Sequence, residues 1–413
     1  MKVFPFLLSL TLAAQTPAPE VNKATVAKEL MDIEAALTEI TGLQFHKAVP
    51  YAVIDKRQLH KFLEDRMRDA VKPAEIHAEE TTLKMFGFLP ADYDLKKATV
   101  ELLTEQAAAF YDYHKKKLFI LETEESTPDL HTDAEKMALS HELGHALADQ
   151  QFHLDKFIKE GAHSDDGSTA RLAVMEGQAS WLMTAYLSKL STGQAAIPPG
   201  VLELMSNAVE NSASQYPVFS KAPLYLRESL VFPYTSGMLF QNAIYKKLGK
   251  ESFSAVFRRP PESTQQIMHP EKYLDRVDPE VPMLPHLPGP KRFHKIGDGT
   301  LGEFDLQALL DEYAGKDESG SLSPHVTGGF YELDEGKKDH HPVLAWSANW
   351  DTSDAAVRFL RDYRKVLSGK SKECKFDENG DTALYGHNEY GFFRVVVMGK
   401  RFESVEGMPA RLN

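Results

Sequence analysis

The chain has 413 residues, of which 47 are Lys or Arg and 60 are Asp or Glu, so its formal net charge at pH 7 is −13. This acidic balance, with no basic stripe along the chain, excludes the usual electrostatic basis for binding nucleic acid. Hydrophobic residues make up 42% and charged residues 26%, which is typical of a folded globular protein. At this length we expect two or more domains.

Residues 1–18 have the pattern of a secretory signal peptide. Lys2 precedes an apolar run over residues 3–14, and a stretch with prolines follows. We expect cleavage close to Ala14 and an exported protein, in the periplasm or outside the cell. No later segment reaches the roughly 18 apolar residues that span a bilayer, so stable membrane insertion is not expected. The single cysteine, Cys374, cannot form an internal disulfide.

The region 19–105 is predicted to be helical. Apolar residues recur at helical spacing over 24–40 and 56–70, and a third helical segment covers 73–88. The sequence leaves two roles open for this region. It could be a removable propeptide that covers a cleft, or an integral part of the fold.

A catalytic domain is predicted over residues 106–277, and it begins with a β-hairpin. In residues 108–121, two aromatic or apolar arms flank a polar turn that is rich in lysine. A hairpin of this kind predicts a small sheet beside the helices that follow.

The five residues His141-Glu142-Leu143-Gly144-His145 carry the strongest chemical signal. In a helix, His141 and His145 lie on one face, so both imidazoles can bind one metal ion. Glu142 lies to one side, where its carboxylate can act as general base on a water molecule that zinc activates. The pattern predicts one zinc ion, with His141 and His145 as ligands and Glu142 as the catalytic base.

The surrounding sequence favours a helix at this motif. Thr132 and Glu135 have the spacing of a capping box, and apolar residues recur at helical spacing after them. Gly144 is unfavourable inside a helix unless another backbone packs close to it. The alternative is an amphipathic surface helix that carries two solvated histidines.

The third zinc ligand is predicted to be Glu176. A histidine six residues after His145 is excluded, because that position is Gln151, and His153 is off the metal-facing side and favours a helix end. Glu176 lies in a second helical segment among apolar residues, where an unpaired carboxylate would be costly. Gly177 and Ala179 beside it would let another helix approach closely. The alternative is a surface glutamate.

The C-terminal part is predicted to be a small α+β module over 296–413, reached through a proline-rich connector at 278–295. Residues 343–350 are expected to form a strand, 351–367 a helix, and 392–398 with 401–405 a hairpin. His340 and His341 are expected to lie in a loop, because no ligand set surrounds them.

Several segments together resemble the gluzincins, the zinc peptidases with HExxH and a downstream glutamate. The resemblance is closest to exported bacterial proteins assigned as metallopeptidases. The matching segments are AFYD at 109–112, HELGHALADQQF at 141–152, EGQA at 176–179, FPY at 232–234, PPEST at 260–264 and HPEKY at 269–273. The resemblance implies an α+β, predominantly helical, zincin-like catalytic domain with a small edge sheet.

The resemblance also implies roles for single residues. In gluzincins a tyrosine or histidine downstream of the glutamate ligand stabilises the oxyanion, and here Tyr234 and His269 are both candidates. Tyr234 is expected at a helix start. The strand at residues 118–121 would be a peptide-binding edge. One departure is Ser180, where many gluzincins have an acid that orients a zinc-bound histidine. Asp149, or Asp165 and Asp166, could take that place.

The sequence therefore predicts an exported zinc-dependent peptidase that acts on peptides or proteins. An endopeptidase is favoured, because no acidic signature for a free amino terminus is found. Two alternatives remain open: a non-catalytic zinc-containing envelope or binding protein, and a zinc hydrolase of non-peptide amides.

Overall fold

The computed structural model describes residues 23–70, 72–106, 109–122, 132–213, 216–287 and 292–411. The expected signal peptide lies outside these residues. The fold is 58% helical and 19% strand, which confirms the prediction of a predominantly helical α+β protein. None of the described helices is both long and apolar enough to cross a membrane.

The helices of the described chain fall mainly before residue 275. They are α1 Lys23–Thr41, α2 Lys56–Ala70, α3 Pro73–Phe86, α4 Leu95–Gln106, α5 Asp133–Phe152, α6 Leu154–Gly161, α7 Asp165–Thr192, α8 Val201–Ala213, α9 Pro217–Lys221, α10 Leu224–Leu248, α11 Ser252–Arg258, α12 Thr264–Met268, α13 Pro270–Leu274, α14 Glu303–Tyr313, α15 Lys316–Leu322 and α16 Ser353–Gly369. The three helices expected in the N-terminal region are confirmed as α1, α2 and α3.

The strands form two sheets of unequal size. They are β1 Tyr51–Asp55, β2 Ala109–Asp112, β3 Lys117–Glu122, β4 Phe293–Leu301, β5 Val326–Gly336, β6 Pro342–Trp350, β7 Lys375–Asn379, β8 Ala383–Asn388, β9 Gly391–Met398 and β10 Arg401–Met408. The three-stranded sheet has the order β1-β3-β2, and the seven-stranded sheet has the order β4-β5-β6-β10-β9-β8-β7.

The small sheet confirms the hairpin but corrects the position of its edge. β2 and β3 pair antiparallel, as predicted. However, β3 lies in the centre, because β1 pairs with its other side in parallel. The prediction that residues 118–121 form a peptide-binding edge is therefore wrong. The strand nearest to α5 is β2, whose Tyr111 amide bonds to that helix.

The C-terminal sheet is larger than the sequence predicted. Strand β6, helix α16 and the β9–β10 hairpin are confirmed, with Thr352 as the N-cap of α16. The neighbouring strand pairs of this sheet are antiparallel. The sheet packs on α16 through an aromatic cluster around Trp346, Phe359 and Phe402. Strand β4 begins at Phe293, inside the segment predicted as connector.

The centre of the helical part is α7, which packs between α5 and α10. A Cβ placed on Gly144 of α5 would lie 3.4 Å from the Ala179 Cα atom of α7. On the other side, a Cβ on Gly177 would lie 2.0 Å from the Gly237 carbonyl carbon of α10. Both contacts confirm the prediction that another backbone packs close to these glycines. Through them, α5 and α10 both pack against α7.

The N-terminal region packs into the same core. Val26, Leu30, Ile33 and Leu37 of α1 are buried there, and β1 completes the small sheet. The region therefore packs against α5 and α7, the helices that carry the motif and Glu176.

Candidate metal centre

Helix α5 presents the two histidines of the motif. Thr132 is its N-cap, and the predicted capping box with Glu135 is present. The helix ends at His153, whose backbone adopts the left-handed conformation with φ 57°. His153 therefore terminates the helix, as expected. Along the uninterrupted helix between these caps, His141 and His145 lie one turn apart on one face.

Three buried ligand atoms converge at this face. His141 Nε2 lies 3.1 Å from Glu176 Oε2, and His145 Nε2 lies 3.3 Å from the same oxygen. The two Nε2 atoms are 3.0 Å apart. Each of the three residues is exposed by 2% or less. Within the described residues, this is the one group of three or more His, Cys, Asp or Glu that could hold a metal ion.

The charge of the two histidines determines the state of Glu176. Burial acts to raise the pKa of its carboxyl, but the charge of His145 and the hydrogen bonds of both histidines lower that pKa to about 2. Glu176 is therefore an anion, and its partners are the two imidazoles. A buried carboxylate in contact with two imidazole nitrogens is a donor set that suits a divalent cation.

The spacing of these atoms fits zinc. A tetrahedral zinc ion with ligands at about 2.0–2.1 Å separates neighbouring ligand atoms by about 3.3–3.4 Å. The observed separations of 3.0, 3.1 and 3.3 Å are close to that value. Two nitrogens and one carboxylate oxygen are also the ligand types of the His₂Glu catalytic sites.

Glu142 lies beside the cluster and is completely buried. The backbone N–H of Tyr111 in β2 donates to Glu142 Oε2 over 2.8 Å. The Tyr111 hydroxyl donates to Asp149 Oδ2, two turns further along α5, over 2.9 Å. Tyr111 thus joins β2 to α5 at two points. The sequence indicated no role for Tyr111, because its two partners on α5 lie 31 and 38 positions further along the chain.

The two oxyanion candidates are in different surroundings. The ring of Tyr234 stacks on that of His141, with centroids 5.9 Å apart and planes inclined by 21°. The prediction that Tyr234 lies at a helix start is wrong, because α10 begins at Leu224 and continues through Pro233. His269 Nε2 instead lies 2.9 Å from Glu303 Oε1. That hydrogen bond raises the pKa of His269. The described contacts of the His269 ring include none with the three ligand residues.

The acidic residues that were expected to orient a histidine of the cluster have other partners. Asp149 accepts hydrogen bonds from Tyr111, Lys116 and the Leu154 amide. Asp166 accepts from the Thr264 amide, and Asp165 from the Tyr331 hydroxyl. His141 Nδ1 is buried with no hydrogen-bond partner in the described structure. Among the described residues, no carboxylate therefore orients His141 through this nitrogen.

Comparisons with known proteins leave the family open. No protein-family model matches the chain, and no curated protein matches it. One solved structure, from Chloroflexus aurantiacus, is described as a candidate hydrolase with a novel fold. It is 17% identical, with 63% of this chain and 93% of that chain covered, at a TM-score of 0.33. A likeness this weak carries no argument about fold or function.

Proposed function

We propose that the protein is a zinc-dependent peptidase with a zincin-like catalytic domain over residues 106–277. His141, His145 and Glu176 would hold the metal, and Glu142 would be the general base. The observation that supports this most is the buried convergence of the three ligand atoms next to a fourth side chain that the ion does not need. When bound, zinc would lower the pKa of a water molecule to about 7 and polarise the substrate carbonyl.

Glu142 would move the proton in this reaction. A positioned carboxylate can accept the proton of the attacking water and then give it to the leaving nitrogen. The Tyr111 N–H donates a hydrogen bond of 2.8 Å to Glu142 Oε2, so strand β2 keeps this carboxylate in one orientation. A purely structural metal site has no use for such a base. Glu142 therefore favours the peptidase over the non-catalytic zinc-containing protein.

Tyr234 would stabilise the oxyanion. A donor that stabilises developing negative charge has to lie within hydrogen-bond reach of the reacting carbonyl. Tyr234 is the one of the two candidates whose ring contacts a ligand residue. His269 is bonded to the buried Glu303, so we assign it a structural role.

The substrate is proposed to be a peptide or protein, cleaved inside its chain. The proposed location, periplasmic or extracellular, depends on the signal peptide at residues 1–18. It can be checked by sequencing the amino terminus of the protein recovered from an exporting host, which should begin close after Ala14.

The test is cleavage of an end-blocked, quenched-fluorescent peptide library by the zinc-loaded protein and by Glu142→Gln. We expect the parent protein to cleave and the variant to be slower by about 10²–10⁴-fold, the usual contribution of a general base. The zinc content of both proteins should be equal, because Glu142 is not a ligand. Glu203→Gln, at an exposed position of α8, is the control.

Two results would contradict the proposal. Equal cleavage by both proteins would show that Glu142 is not the base. The zinc-loaded parent protein could also fail to cleave peptides and hydrolyse non-peptide amides instead. That result would assign the protein to the zinc hydrolases of non-peptide amides.

A further inference from the structure

A second site, not part of the metal centre, lies between α10, α14 and α15. It is a cavity of about 410 Å³. This is within the range of about 300–1,000 Å³ for small-molecule sites. Thr235 and Ser236 line it. They directly follow Tyr234, so the cavity lies on the face of α10 next to the one that faces His141.

The floor of this cavity is apolar. The rings of Phe232 and Phe304 lie with centroids 4.6 Å apart. Leu224, Val231 and Met268 continue the apolar surface. Such a surface suits the hydrocarbon or aromatic body of a ligand, since burying apolar area is favourable.

Three charged side chains line the same cavity, and the charges of Lys316 and Arg227 act on the Glu228 carboxyl. In the described structure Arg227, Glu228 and Lys316 line it but make no hydrogen bond or ion pair. The Arg227 Nε atom is buried and has no acceptor. The remaining acid, Asp311, already accepts a hydrogen bond from Ser319. A buried donor without an acceptor is costly, so an acceptor supplied by a ligand would be favourable.

The environment of Glu228 fits a ligand with both an acceptor and a donor. Burial, and then the negative charge of Asp311, raise the pKa of Glu228 to about 7. The charges of Lys316 and Arg227 oppose this rise. Whether protonated or ionised, the Glu228 carboxyl has an oxygen that can accept a hydrogen bond from a donor on the ligand. The two cations, Arg227 and Lys316, would meet the ligand's negative group.

We propose that this cavity binds a carboxylate attached to an apolar body, either a free apolar amino acid or the carboxyl-terminal residue of a peptide. The carboxylate would lie at Arg227 and Lys316, since charge-assisted bonds to such groups are strong. The apolar side chain would lie on Phe232 and Phe304. The amine or amide nitrogen would donate to Glu228. The site is independent of the proposed zinc chemistry and stands without it.

The experiment is calorimetric titration of the full-length mature protein with four probes. These are phenylalanine, phenylalaninamide, and the peptide Gly-Gly-Phe with a free and with an amidated carboxyl end. We expect the free carboxylates to bind and the amides to bind about tenfold or more weakly, the effect of losing a charge-assisted bond. The peptide is titrated into Glu142→Gln, so that hydrolysis cannot alter it.

Variants test the assignment of the pocket. Arg227→Gln and Lys316→Gln, the second at an exposed position, should each weaken binding of the probes with a free carboxylate by about tenfold. Arg258→Gln, an exposed arginine paired with Glu251, should bind like the parent. Binding of phenylalanine alone would identify a free amino acid as the ligand, and equal binding of the peptide would identify a peptide end.

The proposal is overturned if neither phenylalanine nor Gly-Gly-Phe with a free carboxyl end binds at about 10 mM. That concentration is well above the dissociation constant of even a weak, millimolar complex. It is also overturned if the amides bind equally well, or if folded Lys316→Gln and Arg227→Gln both bind like the parent protein.

Discussion

Glu176 supplies the negative charge of the three-residue cluster. It lies on α7, while both histidines lie on α5, so its carboxylate is in place only when the two helices are packed. The histidines lower the pKa of its carboxyl to about 2 against the opposing effect of burial. At the residue scale, the proposed chemistry therefore depends on a contact between helices as well as on the motif.

Tyr234→Phe tests the oxyanion assignment. We expect kcat to fall by about 10²–10³-fold, the usual effect of losing one oxyanion donor. KM and zinc content should change little, since the ring still packs on His141. Steady-state kinetics on a peptide found in the library measures this, with Tyr385→Phe in the C-terminal sheet as control. A large loss of kcat in His269→Gln, with Tyr234→Phe unaffected, would reverse the assignment.

Two glycine contacts determine how α5, α7 and α10 pack. A side chain on Gly177 would overlap the backbone of Gly237, whereas a side chain on Gly144 would make an ordinary contact with Ala179. The sequence predicted both close approaches, because glycine inside a helix is unfavourable unless a backbone packs on it. It could not say which helix is the partner of Gly177, since that contact joins residues 60 positions apart along the chain.

Gly177→Ala and Gly144→Ala should differ sharply in stability. The Cβ on residue 177 would lie 2.0 Å from the Gly237 carbonyl carbon, so we expect the free energy of unfolding to fall by about 1–3 kcal/mol or more. A Cβ on residue 144 would lie 3.4 Å from the Ala179 Cα atom. The gain in helix propensity of about 1 kcal/mol should offset the cost of this small repacking, so the free energy of unfolding should change little. Urea unfolding of both variants measures this. Equal destabilisation would contradict the packing.

The sheets show where the sequence was informative and where it was not. Strands β6 and β9 could be predicted because they are largely apolar, and β10 because a short turn joins it to β9. Strand β5 contains Gly328 and Gly329, and β7 is largely exposed and polar, so neither has the alternating pattern of a strand. Strand β1 was missed because its five residues are all half-buried and have no alternation of apolar and polar side chains. That omission also led to the wrong peptide-binding edge.

At the scale of the whole molecule, the start of α7 joins the helical part to the C-terminal sheet. Asp166 Oδ1 accepts from the Thr264 amide over 3.0 Å, and Gly302 before α14 packs against the same oxygen. Burial, and then the neighbouring charges of Asp305 and Glu303, raise the pKa of Asp166 to about 7. This junction comes from residues far apart along the chain, so the sequence could not predict it.

Asp166→Asn should change the pH dependence of stability. The folded protein binds this proton more tightly than the unfolded chain, whose Asp has a pKa of about 3.9. The free energy of unfolding should therefore fall as pH rises from about 4 to 7, and the loss should be complete above 7. Asn keeps the acceptor and removes the charge. The variant should therefore gain stability over the parent at about pH 8, and little or none at about pH 4.

Urea unfolding at the two pH values measures this difference. The exposed Asp92→Asn is the control and should follow the parent at both. A variant whose stability is shifted equally at both pH values would show that the Asp166 carboxyl does not titrate in this range.

The most direct test of the account is the zinc content of the purified mature protein, measured by inductively coupled plasma mass spectrometry after gel filtration. The account predicts about one zinc ion per chain. It also predicts that Glu176→Gln loses most of that zinc, while the control Glu271→Gln keeps it. A parent protein that takes up no zinc, or a Glu176→Gln protein that holds it equally well, would contradict the assignment of His141, His145 and Glu176 as the metal centre.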